Sequence, residues 1–133
     1  MLSLADESFP GYAAVRENFV NYIDELADYQ NPDGSWNTVI DDPLSYGEMT
    51  ATSAVAFAIN EGVRLGVIAR EYSENAARAI AVLKKNIAGD GSVLNASGGT
   101  CIMPSREQYN AVGTQYTEFA QGLTMLALNS ADA

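Results

Sequence analysis

The residues able to do chemistry gather in two stretches. The first reads QNPDGSWNTVIDDPLSYGE, residues 30–48, and holds Asp33, Trp36, Asp41, Asp42, Tyr46 and Glu48. The second reads GDGSVLNASGGTCIMPSRE, residues 89–107, and holds Asp90, Thr100, Cys101 and Arg106. Histidine is absent from all 133 residues. That removes Ser-His and Cys-His nucleophiles, HExxH zinc sites and imidazole proton shuttles. Acid–base work would fall to carboxylates, tyrosine or lysine. The aspartates suggest calcium at first sight, but an EF-hand loop needs glutamate at its twelfth position. With Asp90 and Gly91 in frame from Asn86, the twelfth residue is Ser97; with Gly34 in frame from Tyr29, it is Ile40. Asp-Gly is good turn chemistry and accounts for both sites, so no metal and no cofactor is expected. Gly98-Gly99-Thr100 lacks the lysine of a phosphate loop and no strand precedes it.

Five residues remain as rim or wall candidates: Trp36, Tyr46, Glu48, Thr100 and Arg106. Trp36 and Tyr46 either stack on a sugar ring or pack against helix ends. Glu48 stands just before a helix of small residues. It is either a charge favoured by the helix dipole or a polar group at the mouth of a helical barrel. Arg106 is the one basic residue in either stretch, with a fork of donors suited to a carboxylate. The competing reading, a surface arginine, is the more common one for such a residue. No catalytic residue follows from spacing alone.

The elements that must position these residues are helices. Tyr12, Val15, Phe19, Ile23, Leu26 and Tyr29 recur at three- and four-residue spacing with acids and amides between them, which predicts an amphipathic helix over 12–30. Ala76, Ile80, Leu83 and Ile87 predict a second over 72–88, with Ser73 as N-cap and Gly89 as its stop. The stretches TATSAVAFAINEGVRL, 50–65, and EFAQGLTMLALN, 118–129, are small and apolar on most sides, so both predict helices buried on most sides. Amphipathic and buried helices therefore alternate. Asp33-Gly34-Ser35 recurs as Asp90-Gly91-Ser92, each after an amphipathic helix and before a long loop. Such a period points to stacked or toroidal helix pairs. If outer and inner helices run antiparallel, both long loops, 31–49 and 89–117, share one rim, where binding groups usually sit.

Composition narrows the function further. The chain is one domain in length, and its net charge of −10 with seven basic residues argues against nucleic acid as a partner. No apolar run approaches the ~20 residues of a membrane span, so no membrane partner is expected. The opening MLSLADE lacks a basic region and does not read as a secretory signal. A single cysteine, Cys101, reads as a buried or inert thiol and a cytoplasmic location.

Two families resemble these motifs. Leu26, Gln30, Gly34 and Trp36 resemble the end of the repeated turn of triterpene cyclases, but Tyr22 and Ile23 stand where the basic-small pair should. The second resemblance covers residues from about Tyr12 onward. A DG-x-W turn leads through Asp41, Asp42 and Pro43 to Ser45, Tyr46, Glu48, Thr50, Ala51 and Thr52. With GVRLG at 62–66, DGSVLNASGGT and FAQGLTMLAL, this is similar to the unsaturated glucuronyl and rhamnogalacturonyl hydrolases of glycoside hydrolase families 88 and 105.

That resemblance implies an all-α fold and, for this chain, a partial (α/α)6 toroid of two outer–inner helix pairs with long rim loops. It implies hydration of a 4,5-unsaturated uronic acid in an oligosaccharide, begun by an aspartate acid. The family's acid aspartate, active-site histidine and Trp-x-Arg-Gly segment lie upstream of the matched region. Asn37 stands where histidine is frequent. Trp36, Tyr46, Glu48 and Thr100 are therefore transferred only as wall or rim positions. The chain reads as the C-terminal part of such an enzyme, inactive alone, with self-association expected through exposed inner-helix edges. The competing readings are a stand-alone helical carbohydrate-binding or interaction module, and a cyclase-like fragment.

Overall fold

In the computed structural model, residues 7–131 are described. The segment read above for a secretory signal lies, up to residue 6, outside them. The elements are α1 (Tyr12–Asp28), α2 (Met49–Arg64), a 3-10 turn (Arg70–Tyr72), α3 (Ser73–Lys85), α4 (Arg106–Asn110) and α5 (Glu118–Ser130). Among the described residues the only β pairing is three isolated bridges within the loops.

Directions follow from side-chain bonds. Ser53 pairs with Thr124 at 2.8 Å, and Asn60 Nδ2 donates to Ser130 Oγ at 3.1 Å, so residue numbers rise together and α2 and α5 run parallel. Tyr72 donates to Asp24, and Gln30 Nε2 donates to the Asn75 carbonyl, so α1 and α3 also run parallel. Phe19 lies against Gly62, while the backbone N–H of Trp36, beyond the end of α1, donates to the Thr52 hydroxyl near the start of α2. Outer α1 therefore runs antiparallel to inner α2. The two outer–inner pairs are in place, and the short link opposes the rim of long loops.

Helix α2 is the centre. Thr52, Ser53, Ala56 and Ile59 are fully enclosed, and its small residues let neighbours approach closely on several sides. At Gly62 an added Cβ would come within 2.9 Å of the Phe19 ring, so this glycine marks where α1 crosses. The expectation that α5 is equally enclosed needs correction. Only Ala120, Thr124 and Ala127 are buried, facing α2, while Phe119 is 76% and Met125 70% exposed. Composition fixes that a helix is apolar, but the number of neighbours decides how much of it is covered, and α5 has a neighbour on one side.

The repeat is atomic. In the first turn the Asn31 amide donates to the Ser35 carbonyl at 2.9 Å, and in the second Ala88 donates to Ser92 at 2.9 Å. Asp33 Oδ1 and Asp90 Oδ1 each accept from the backbone and hydroxyl of the serine two residues on. Gly34 and Gly91 both take positive φ, 103° and 87°. The same offset carries buried Ile23 onto Ile80, Leu26 onto Leu83 and Trp36 onto Val93. One outer-helix-plus-turn unit has thus been used twice.

Trp36 is the wedge of that unit. It is 1% exposed, and its Nε1 donates to the Leu26 carbonyl at 2.7 Å, satisfying the last turn of α1. Several boundaries differ from the sequence reading. Helix α1 ends at Asp28, because the side chain of Gln30 reaches across to Asn75 and the Gly34 carbonyl. Ser73 is the first residue of α3, not its cap; Tyr72 holds that position with no side-chain cap. Helix α3 stops at Lys85, since Asn86 accepts from the Leu94 amide and pulls 86–88 into the turn, and the positive φ falls at Gly91 rather than Gly89.

Candidate functional site

The two long loops meet over the N-termini of α2 and α5 and leave a cleft of about 470 Å³. Its floor is the start of both inner helices. Glu48 precedes α2, and its carboxylate accepts from Thr50 N at 3.0 Å and Ala51 N at 2.6 Å. The same group accepts from Ser97 N, in the other loop, at 2.9 Å. Glu48 is only 5% exposed. It caps the helix, and it also lines the cleft. Three donors fasten it, so it acts as a rivet between α2 and the second loop, not as a mobile acid. Thr117 does the equivalent for α5, its side chain accepting from Ala120 N at 3.1 Å.

The walls come from both loops. Tyr46 hydroxyl and Ser97 hydroxyl pair at 2.9 Å, and Met49 N donates to the Asn95 carbonyl at 3.0 Å. Outside the cleft the loops are joined again. Arg106 pairs with Asp41 at 2.6 Å, and Asp42 accepts from Asn110 at 2.8 Å and Leu44 N at 2.9 Å. The Leu44 amide first, then Asn110 and the nearby Arg106 charge, hold the Asp42 carboxyl below its ordinary range.

The five sequence candidates therefore separate. Glu48 and Thr100 line the cleft, and Tyr46 braces it through Ser97. Arg106 does not line it; it is exposed and held by Asp41. Trp36 is enclosed in the core and has no face to offer a sugar. Cys101 is exposed, correcting the buried reading. Sequence reasoning overlooked Tyr109, Gln115, Tyr116, Glu118 and Phe119 as lining residues. A signal existed for Tyr109. Ser105 caps α4 by accepting from Gln108 N, and Ser-x-x-Gln is a readable helix start. Tyr116 and Phe119 carried no such signal, because nothing local says that an apolar side chain will face a cleft.

Chemically the cleft offers hydroxyls, an amide, exposed aromatic faces and two carboxylates. Aromatic faces with a few convergent polar groups are the usual make-up of a small-ligand site. Among the described residues, no group of three His, Cys, Asp or Glu is placed to hold a metal ion. No helix of the described chain is long and apolar enough to cross a membrane.

The sequence model of Glycosyl Hydrolase Family 88 matches residues 1–132. The chain belongs to glycosyl hydrolase family 88. It is 27% identical over 128 residues to the unsaturated rhamnogalacturonyl hydrolase YesR of Bacillus subtilis (strain 168), covering 96% of this chain and 36% of that protein. A possible member of the GH105 family from Salmonella enterica superposes with a TM-score of 0.91 at 30% identity, over 97% of this chain and 35% of that one. A similar protein from Klebsiella pneumoniae gives a TM-score of 0.88 at 28% identity, over 95% and 33%. The chain thus spans about a third of the length of these relatives, and its helix pairs form a partial toroid of their kind.

Proposed function

We propose that this chain supplies two outer–inner helix pairs and one wall of the substrate cleft of a hydrolase acting on 4,5-unsaturated uronyl oligosaccharides. The observation that carries this is the cleft over the N-termini of α2 and α5, built from both long loops at one rim. Family membership supplies the substrate class. Thr100, Gln115, Tyr116 and Phe119 contact sugar in this reading, and Glu48 with Tyr46 holds the wall in shape.

The chemical step needs an acid free to move a proton, and Glu48 is fastened by three backbone amides. Glu48 is thus set aside as the acid, and the family resemblance assigns that role to an aspartate upstream of the matched region. The isolated chain binds oligosaccharide weakly and does not turn it over. An exposed thiol without an intramolecular partner fits a reducing, cytoplasmic compartment. The test is incubation with an unsaturated uronyl disaccharide, following the ultraviolet absorbance of its conjugated double bond. Constant absorbance is expected, and a steady fall catalysed by the chain alone contradicts the assignment of the acid elsewhere.

A further inference from the structure

Helix α2 sits in a groove whose sides are α3 and α5. On the α5 side Ala120, Thr124 and Ala127 are buried, and Thr124 bonds to Ser53 at 2.8 Å. On the α3 side Ala76 and Ala79 are buried. The repeat builds the same groove a second time. The turn repeat carries α3 onto α1, so Ala76 falls on Phe19 and Ala79 on Tyr22. Aligning the N-caps Glu48 and Thr117 carries α5 onto α2, so Ala120, Thr124 and Ala127 fall on Ala51, Val55 and Ala58. Phe19, Tyr22, Ala51, Val55 and Ala58 all line an open groove of about 590 Å³ between α1 and α2. Tyr22 is 62% exposed there, where its counterpart Ala79 is sealed.

The counterpart of α2 is α5, and its uncovered side has the surface to fill that groove. Ala56, fully enclosed on α2, corresponds to Met125, 70% exposed on α5. Asn60, whose amide donates to Ser130, corresponds to Asn129. Ser53 corresponds to Gly122, where an added Cβ would meet nothing within 4 Å. Every residue lining the groove is uncharged, and so is α5 beyond Glu118, in a chain of net charge −10. Two uncharged, apolar edges on an acidic molecule mark an interface.

We infer that the α1–α2 groove takes α5 of a second copy of this chain, and that three copies close a ring. The contact is head to tail, because each edge fits the opposite edge of the next copy. Such contacts close when the rotation per copy divides the circle, and otherwise run on as filaments. Each copy holds two of the helix pairs of an (α/α)6 toroid, in keeping with the third of its relatives' length that it spans. Three copies therefore complete the circle and leave no inner helix with an open side. The inner helices run parallel, so the rim loops of all three copies lie on one face. The ring depends on the fold and its repeat, and not on what the cleft binds.

Sedimentation equilibrium of the 133-residue chain at roughly 10–500 μM in about 0.3 M salt drives association by mass action and screens the charge on each copy. The mass should pass from 14.2 kDa to three times that value, with no plateau at two or four copies. Tyr22→Lys in the groove and Met125→Lys on α5 alter exposed side chains, so each variant should keep the parent's helical circular dichroism. Each should weaken the trimer by roughly tenfold or more, the effect of burying an unpaired charge. Mixed one to one, the two variants retain one intact groove and one intact α5 between them. A heterodimer should then form that neither makes alone. A parent chain that stays monomeric over this range, stops at a dimer or grows without limit overturns the inference. So does a trimer that either variant leaves intact, or a mixture that associates no more than its parts.

Discussion

The two Asp-Gly-Ser turns form a matched pair for a stability experiment. Gly34 and Gly91 have the same hydrogen bonding and both take positive φ, 103° and 87°. Their surroundings differ. A Cβ on Gly34 would lie 2.6 Å from the Arg78 backbone carbonyl carbon and oxygen and 2.9 Å from Arg78 Cβ, whereas nothing lies within 4 Å of one on Gly91. Alanine at Gly91 therefore meets only the left-handed backbone cost of ~1–2 kcal/mol, partly offset by ~0.4–1 kcal/mol from the stiffer unfolded chain. The net is a loss of about 1 kcal/mol. Alanine at Gly34 carries the same cost and also collides with helix backbone, which cannot move aside as a side-chain tip can. Overpacking of that sort adds roughly 1–3 kcal/mol, for a total of about 2–4 kcal/mol. For a chain of this length the difference between the variants is on the order of 5–10 °C in Tm. Thermal and urea unfolding of Gly34→Ala and Gly91→Ala measure it, with equal m-values checking that the same transition is compared. Equal losses in the two variants would refute the close packing of the first turn on α3, and with it the lateral contact between the outer helices.

Stability should be flat near neutral pH and fall at both extremes. Asp42 is held low chiefly by the Leu44 amide and Asp90 chiefly by the Ser92 hydroxyl. A carboxyl lowered in the fold stabilises above its unfolded pKa of about 4 and loses that contribution as pH falls through the folded value. Tyr72 is raised, first by its bond to Asp24, so its contribution is complete below about pH 10 and disappears as pH rises through the folded value. A Tm that climbs on acidification from pH 5 to pH 3 would contradict this, and Asp42→Asn with Asp90→Asn should flatten the acid limb. The open side of α5 should make the chain associate with itself, more so as salt screens its net charge of −10. Sedimentation velocity should show larger species with rising concentration and fewer after Met125→Ser combined with Leu126→Ser. A strictly monomeric profile for the parent chain counts against association.

Much of the fold was legible because its causes are local. Period-3.6 stripes placed α1 and α3, small-residue composition placed α2, and Asp-Gly turns located both loop entries within a residue or two. The 57-residue repeat was legible because turn chemistry and the buried stripe repeat together, as Leu26 with Leu83 shows. Helix ends were less legible. Gln30 and Asn86 leave their helices to satisfy partners elsewhere, and propensity contains no term for those partners.

The site was legible only in part. Its rim followed from topology, and Glu48 stood out as a charge before a helix. That Glu48 reaches Ser97, 49 positions on, depends on how two loops cross, as does the capture of Arg106 by Asp41 across 65 positions. Trp36 shows the same division. Sequence alone determined that an aromatic residue follows the turn at the end of an outer helix. Only the tertiary structure decided that it faces the core, because a carbonyl of α1 and a threonine of α2 converge on it there. Local chemistry fixes what each segment can form. Which faces are covered, and which side chains are already bound to one another, is settled by contacts between segments far apart in the chain.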